Sequence, residues 1–183
     1  MTQKELFENY SKQVYRTCYY MVHNEADAED LCQEVFISIF RSDWKRMEHL
    51  RAWIMRIAVN RCLTHLKTRR RREAKDMLVQ SQYRSTDQEG KALDLLVEER
   101  EAAEELARDM MQLPPKIRAA ISLRYMHDFS MNDIAEILSI PVGTAKSRVH
   151  KGLKLMKLIM SKRDYVVHRP GKGGCHEAYR EQT

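Results

Sequence analysis

Apolar side chains recur at spacings of three and four along the first 72 residues, which is the period of an amphipathic α-helix. The first such stripe consists of Phe7, Tyr10, Val14, Cys18 and Met21. A second stripe follows a capping signal at Asn24, and a third begins at His49 and continues to about Arg72. Three amphipathic helices can close a small bundle, so the pattern predicts an N-terminal helical domain.

A second helical unit is predicted downstream, where prolines mark the breaks between helices. One helix must end before Pro114–Pro115, because a residue preceding proline avoids the helical region. Ser130 is expected to cap a short helix, and Pro141–Val142–Gly143 separates it from the last helix. We expect Ile140 and Val142 to fill the turn. The residues of the last helix that are expected to face inward are Ala145, Val149, Leu153 and Met156.

The segments between and after these units have a different composition. Ser81–Gly90 is polar and has no apolar period, which indicates a linker. The predicted fold class is therefore all-α, with two small helical domains joined by a flexible linker: an N-terminal helical bundle and a C-terminal helix-turn-helix domain. The predicted boundaries are 1–75 and 101–160 for the domains, 76–100 for the linker and 161–183 for a flexible tail.

Charge is distributed in blocks along the chain. Residues 41–75 carry 12 basic and 3 acidic side chains, and residues 114–160 carry 8 and 3. The acidic block 76–113, with 4 basic and 10 acidic side chains, separates them. Two contacts with a polyanion joined by a linker would have this distribution. On charge alone, two helical domains with unevenly charged solvated faces explain it equally well.

The last helix carries the candidate residues for binding double-stranded DNA. In a helix-turn-helix, the second helix enters the major groove, where donors recognise guanine edges or phosphates. Thr144 and the free amides at the start of that helix suit a phosphate. The outward-facing candidates are Lys146, Ser147, Arg148, His150 and Lys151. A helical hairpin with a basic solvated face is the alternative for this segment alone.

The helix from His49 and the loop before it, which holds Trp44, have candidate residues for binding single-stranded nucleic acid. Aromatic stacking, amide hydrogen bonds and a basic groove hold bases that have left a duplex. These candidates are Trp44, Arg56, Asn60, Lys67, Arg69 and Arg70. The alternative for the run Arg69–Arg72 is a charged helix end that the helix dipole favours. For Trp53, a core position is the preferred interpretation.

Other classes of function find little support in the sequence. Cys18, Cys32 and Cys62 occupy apolar helical positions, where a buried thiol is expected. The start of the chain is polar and no apolar run approaches the roughly 18 residues of a membrane helix, so a cytoplasmic protein without membrane insertion is predicted. The seven histidines have no metal-ligand or triad spacing, and no cofactor, resident metal or enzymatic activity is expected.

Two features of the tail are candidate ligand sites. Gly171–Gly174 lacks the Lys-Ser/Thr ending and the preceding strand of a phosphate-binding loop. His168, Cys175 and His176 are candidate zinc ligands without a compact spacing, which makes a zinc site the weaker interpretation.

Three segments together resemble the bacterial sigma-70 family of RNA polymerase sigma factors, in particular its extracytoplasmic-function class. Asp27–Phe36 is similar to the family's polymerase-binding signature, and Ala52–Asn60 to the helix that recognises the minus-ten promoter element. Leu113–Lys116 with Ile140–His150 resembles the domain that recognises the minus-thirty-five element. The motifs stand in the family's order and spacing and cover about residues 1–160.

This resemblance implies partners and roles. The acidic stripe on the second helix would dock on the clamp helices of the largest subunit of core RNA polymerase; it consists of Asp27, Asp30, Gln33 and Glu34. Asn60 and residues 42–51, here called the minus-ten loop, would hold a flipped base of the melted strand. The last helix would recognise the upstream element of promoter DNA. The flap of the second-largest subunit and an anti-sigma factor are further expected partners.

A helix-turn-helix repressor is the main rival function. It accounts for residues 114–160 but leaves the acidic stripe and the separate basic helix without a role. A dimerisation helix at the N-terminus would favour the repressor, and the first helix shows no heptad seam.

Overall fold

The computed structural model describes residues 1–79 and 97–167, with side chains described for 1–74 and 102–163. Within these ranges every element of regular secondary structure is a helix, which confirms the predicted all-α class. Its elements are α1 (Gln3–Val22), α2 (Glu25–Phe40), a 3₁₀ turn (Trp44–Arg46), α3 (Leu50–Val79), α4 (Val97–Met111), α5 (Pro115–Tyr125), α6 (Met131–Ile137) and α7 (Val142–Val167).

Helices α1, α2 and α3 pack on one another as an N-terminal bundle. The capping prediction at Asn24 is confirmed, because its side chain accepts from the Asp27 amide at 2.8 Å. Within α1 the apolar stripe differs from the prediction at its first position: Leu6 is buried, whereas Phe7 is 46% exposed. The α3 residues that enter the core most deeply are Ile54, Met55, Ala58, Val59 and Cys62.

The predicted buried thiols are confirmed: Cys18, Cys32 and Cys62 all lie in the core of this bundle as free cysteines. A hydrogen bond with Cys62 and burial raise the pKa of Cys18. Burial raises the pKa of Cys32 to about 11. Because the thiolate is the reactive form, Cys18 and Cys32 behave as packing residues at neutral pH.

Helices α4, α5, α6 and α7 form the predicted C-terminal unit, and α4 is the helix predicted to end before Pro114. Ser130 and Asp133 make a reciprocal capping box at the start of α6, with bonds of 3.1 and 3.0 Å. The prediction for α7 was wrong at Leu153, which is 44% exposed; Gly152 is the buried residue that faces α5. Val142 is also exposed and does not fill the turn.

The ends of several segments lie elsewhere than the sequence predicts. Helix α3 continues to Val79 and α4 begins at Val97, so both ends of the predicted linker 76–100 are helical. Helix α7 continues to Val167, seven residues into the predicted tail. Most of the linker, including Ser81–Gly90, and the tail residues 168–183 lie outside the described residues.

The two units pack against each other across α1 and α3 on one side and α4, α5 and α6 on the other. Arg118 of α5 lies at this junction and is only 3% exposed. Its guanidinium donates to the carbonyl of Met21 at the end of α1, and to those of Met111 and Leu113 at 2.9 and 3.0 Å. Carbonyls at helix ends have no partner within the helix, so this cation satisfies the ends of two helices together. Burial lowers the pKa of Arg118 to about 10, which leaves it charged at neutral pH.

None of the helices in the described part of the chain is both long and apolar enough to cross a lipid bilayer.

Candidate polymerase and nucleic-acid interfaces

The acidic stripe on α2 is divided by its contacts with α3. The Asp27 carboxylate lies 3.4 Å from His65 Nε2 and 3.8 Å from Arg69 Nη1. The Glu34 carboxylate lies 3.5 Å from Arg61 Nη1. All three contacts line one groove between α2 and α3. Asp27 and Glu34 are therefore already partly neutralised by the same bundle.

Asp30 and Gln33 are the residues of the acidic stripe whose side chains have no polar contact with the described side chains of α3. Both side chains are exposed, and neither makes a hydrogen bond or ion pair with any other described residue. Near them on the surface are Ile37, 48% exposed, and Phe7, whose ring centroid is 4.8 Å from that of Phe36. A charged surface beside exposed apolar side chains has the composition of a protein interface. The sequence missed this surface because Phe7 fits the inward stripe of α1 by its spacing.

The basic face of α3 is largely as predicted. Arg56, Asn60 and Lys67 are exposed and lie along one side of the helix. Arg70 is exposed as well, whereas Arg69 makes a 3.0 Å ion pair with Glu73 in addition to its contact with α2. Amide and cationic groups are thus presented together on this face.

The burial of Trp44 contradicts its prediction as a base-stacking residue. It begins the 3₁₀ turn inside the minus-ten loop and is only 5% exposed, with Lys45 Nζ 5.8 Å from the ring centroid. The large apolar ring is more stable in the core than in water, so the turn directs it inward. Trp53 is half-buried and lines a groove with Arg56, which leaves part of its ring accessible.

The outward residues of α7 are arranged in two rows at helical spacing. Lys146 and His150 form one row and Ser147 and Lys151 the other, and all four are exposed. Arg148 and Thr144 lie at the flank and are half-buried. The Ser147 hydroxyl donates to the Thr144 carbonyl at 3.0 Å, which occupies part of its hydrogen-bonding capacity.

The C-terminal half of α7 carries exposed apolar side chains that the sequence did not predict. Leu153, Leu158 and Met160 are all exposed. Leu158 lines a shallow groove of about 640 Å³ together with Leu155 and Lys154. Leu153 and Met160, seven residues apart, lie on one side of the helix and Leu158 on another, so the apolar part of this groove consists of Leu155 and Leu158. Leu153 fits the inward stripe by its spacing, but Gly152 faces α5 instead and Leu153 is exposed.

Within the described side chains, no cluster of three histidine, cysteine or acidic residues is arranged to hold a metal ion. The candidate zinc ligands His168, Cys175 and His176 and the glycines 171–174 lie outside the described residues.

Comparison with known proteins identifies the family to which these surfaces belong. Residues 6–72 match the family model for sigma-70 region 2, and residues 100–156 match that for sigma-70 region 4. The extracytoplasmic-function (ECF) sigma factor SigW of Bacillus subtilis is 28% identical over 160 residues, 84% of this chain and 86% of SigW. The RNA polymerase sigma-H factor of Pseudomonas aeruginosa is 32% identical over 139 residues, 71% of each chain.

Solved structures agree in fold. The sigma factor RpoE in complex with the anti-sigma factor NepR, from Bartonella quintana, superposes with a TM-score of 0.66 at 21% identity, over 86% of this chain and 96% of that one. CnrH, solved with the cytosolic domain of CnrY, gives 0.60 at 16% identity, over 87% and 88%. The chain belongs to the sigma-70 family, in its extracytoplasmic-function class, and is a sigma factor for transcription initiation by RNA polymerase.

Proposed function

We propose that this sigma factor directs core RNA polymerase to promoters by recognising the minus-thirty-five element as duplex DNA and the minus-ten element as a melted single strand. The observation that most directly supports separate surfaces for duplex and melted DNA is that the two basic surfaces differ in chemistry. The α7 surface is a row of donors on a helix that follows a tight turn. The α3 surface combines an amide, Asn60, with cations beside a loop, as suits an unpaired base.

The acidic stripe of α2 is the proposed contact with the clamp helices of the polymerase largest subunit. Asp30 and Gln33 are the residues best placed for it, because their side chains are exposed and lack partners among the described residues. Asp27 and Glu34 would contribute while keeping their links to α3. The groove that Leu155 and Leu158 line on α7 is the proposed contact with the flap of the second-largest subunit.

The polymerase contact is tested by charge reversal and pull-down of core polymerase. The variant Asp30→Arg should lose binding through lost complementarity and added repulsion. Adding Glu34→Arg should weaken binding further, but it also breaks the ion pair with Arg61, so the single variant is the cleaner probe. Glu29→Arg, one residue away on the same exposed helix, is the matched control and should bind normally. Undiminished pull-down by Asp30→Arg with intact helicity would refute the assignment.

The two DNA contacts are separated by the stage at which each one acts. Lys146→Ala or Arg148→Ala should weaken binding of the holoenzyme to the closed promoter by about tenfold, since a bidentate base contact contributes about 1–3 kcal/mol. Lys162→Ala, an equal loss of charge far along α7, should have little effect. Asn60→Ala should leave closed-complex binding intact and reduce permanganate reactivity of unpaired thymines.

A premelted promoter separates recognition of the flipped base from melting itself. If Asn60 binds the flipped base, the premelted template should not rescue Asn60→Ala. Equal losses of closed-complex binding in the Lys146, Arg148 and Asn60 variants would contradict separate contacts with duplex and melted DNA. The helix-turn-helix repressor would then again be a rival function.

Regulation by an anti-sigma factor and action in the cytoplasm are part of the same proposal. The similar sigma factors RpoE and CnrH were solved in complex with NepR and with the cytosolic domain of CnrY. Co-purification of this chain from its native host should yield such a partner. Activity that follows expression level alone, with no partner recovered, would contradict it.

A further inference from the structure

The first turn of α7 carries an exposed apolar side chain beside the residues proposed to bind duplex DNA. Val142 is 37% exposed, although the sequence predicts that it fills the turn before this helix. It stands four residues before Lys146 and eight before His150, so the three side chains lie along one side of the helix. Val142 therefore begins the row that Lys146 and His150 continue.

The surface beside Val142 is open. Gly143 is exposed, and a Cβ added to it would meet nothing within 4 Å in the described part of the protein, its immediate neighbours in the chain aside. Its backbone is helical, so neither packing nor a left-handed conformation calls for glycine here. Without a side chain at this position, a ligand can come close to the helix and to the methyl groups of Val142.

Duplex DNA offers one kind of apolar group on the base edges of its major groove. Adenine, guanine and cytosine present hydrogen-bond donors and acceptors there, whereas thymine adds the methyl group at C5. The isopropyl group of Val142 can neither donate nor accept a hydrogen bond. Since the first residues of a recognition helix are those that reach the base edges, the thymine methyl is the group that this side chain can bury favourably.

We propose that Val142 is a specificity residue, which recognises a thymine of the minus-thirty-five element by packing on its C5 methyl group. The inference rests on the proposed binding of duplex DNA by α7, to which it adds the recognition of one base. Lys146 and His150 would bind the neighbouring base edges or phosphates. The contact of Val142 depends on a methyl group and not on a hydrogen bond, so it responds to a change in the DNA that leaves base pairing intact.

Deoxyuridine tests this contact, because its base differs from thymine only by the missing methyl group. The probe is a duplex promoter of the native host that the holoenzyme transcribes. Deoxyuridine replaces the thymines of the protected upstream element one at a time, on either strand, and closed-complex binding of the holoenzyme is measured at a fixed salt concentration. For the wild type we expect one replacement to weaken binding about fourfold, the factor that corresponds to leaving one methyl group unburied.

The variant Val142→Ala removes the apolar partner of the methyl group. It should bind the unmodified promoter about fourfold more weakly than the wild type, and it should bind the thymine and deoxyuridine promoters equally. Leu153→Ala is the matched control, because Leu153 is 44% exposed on the same side of α7 about 16 Å further along the helix; this variant should keep the wild-type preference for thymine. At the sensitive position, the wild type should bind 5-methylcytosine more tightly than cytosine, whereas Val142→Ala should not distinguish them.

Wild-type binding that no deoxyuridine replacement weakens would overturn the role of Val142. Weaker binding of Val142→Ala with the preference for thymine retained would overturn it too, since the side chain would then contact the DNA backbone or the polymerase. The broader function is measured apart, by binding of Lys146→Ala to the unmodified promoter. If this variant binds like the wild type, the proposed binding of duplex DNA by α7 fails; if it binds weakly while deoxyuridine has no effect, only the role of Val142 fails.

Discussion

Gly152 offers the sharpest test of how α7 packs against α5. A Cβ at this position would lie 2.4 Å from Ile121 Cγ1, 2.7 Å from Ile121 Cδ1 and 3.0 Å from Ile117 Cγ2. Distances under 3 Å between carbons require movement of one group, and Ile121 is itself buried in α5. The substitution Gly152→Ala therefore forces α7 away from α5 or drives Ile121 from its rotamer.

Two opposing effects determine how much Gly152→Ala changes the free energy of unfolding. Overpacking of this kind costs about 1–3 kcal/mol. Replacing a glycine inside a helix with alanine returns about 1 kcal/mol of helix propensity. We expect Gly152→Ala to lower the free energy of unfolding by about 1 kcal/mol. Gly143→Ala, in the first turn of the same helix, meets nothing within 4 Å and should raise it by a few tenths up to about 1 kcal/mol.

The assay is urea unfolding of the purified chain followed by circular dichroism, extended to a double-mutant cycle. In the background Ile121→Ala the methyl group of Gly152→Ala enters vacated space, so the second substitution should become stabilising. The expected coupling between the two positions is about 2 kcal/mol. If Gly152→Ala stabilises the wild type as much as Gly143→Ala does, the close approach of α7 to α5 does not exist and the reasoning is refuted.

Three further predictions concern the domain junction and the helix start beside it. Arg118→Met should lower the free energy of unfolding by about 3 kcal/mol or more, because buried carbonyls such as that of Met21 lose their donor. Arg108→Met, on the exposed face of α4, is the control and should be nearly neutral in the same urea titration. Ser130→Ala should cost about 1 kcal/mol through loss of the α6 cap, and a change below the error of the titration would contradict the cap's contribution. Burial lowers the pKa of His127 to about 4, below its ordinary 6.5, so the unfolded chain takes up this proton first as the pH falls. The free energy of unfolding should therefore decrease by roughly 3 kcal/mol as the pH drops from about 6.5 to about 4. Identical pH profiles of this free energy for the wild type and His127→Gln would refute the prediction.

The sequence by itself determined the helices, the signals at their ends and their family. The caps at Asn24 and Ser130 and the break before Pro115 depend on groups a few residues apart, so local chemistry fixes them before any tertiary contact forms. The positions of Arg56, Asn60 and Lys146 on exposed faces also follow from helical periodicity. These features could be predicted because each has its cause within one or two turns of chain.

Which apolar or charged side chain became a contact was decided by the tertiary structure. Trp44 was expected to be exposed and is buried, whereas Leu153 was expected to be buried and is exposed. Burial depends on which neighbouring helix packs over a position, and the periodicity of the sequence does not identify that neighbour. Arg118 looks like one more cation in a basic block, yet it joins the ends of α1 and α4. The contact of His127 with Thr17 spans 110 residues of sequence, and its energy exists only when the two domains meet.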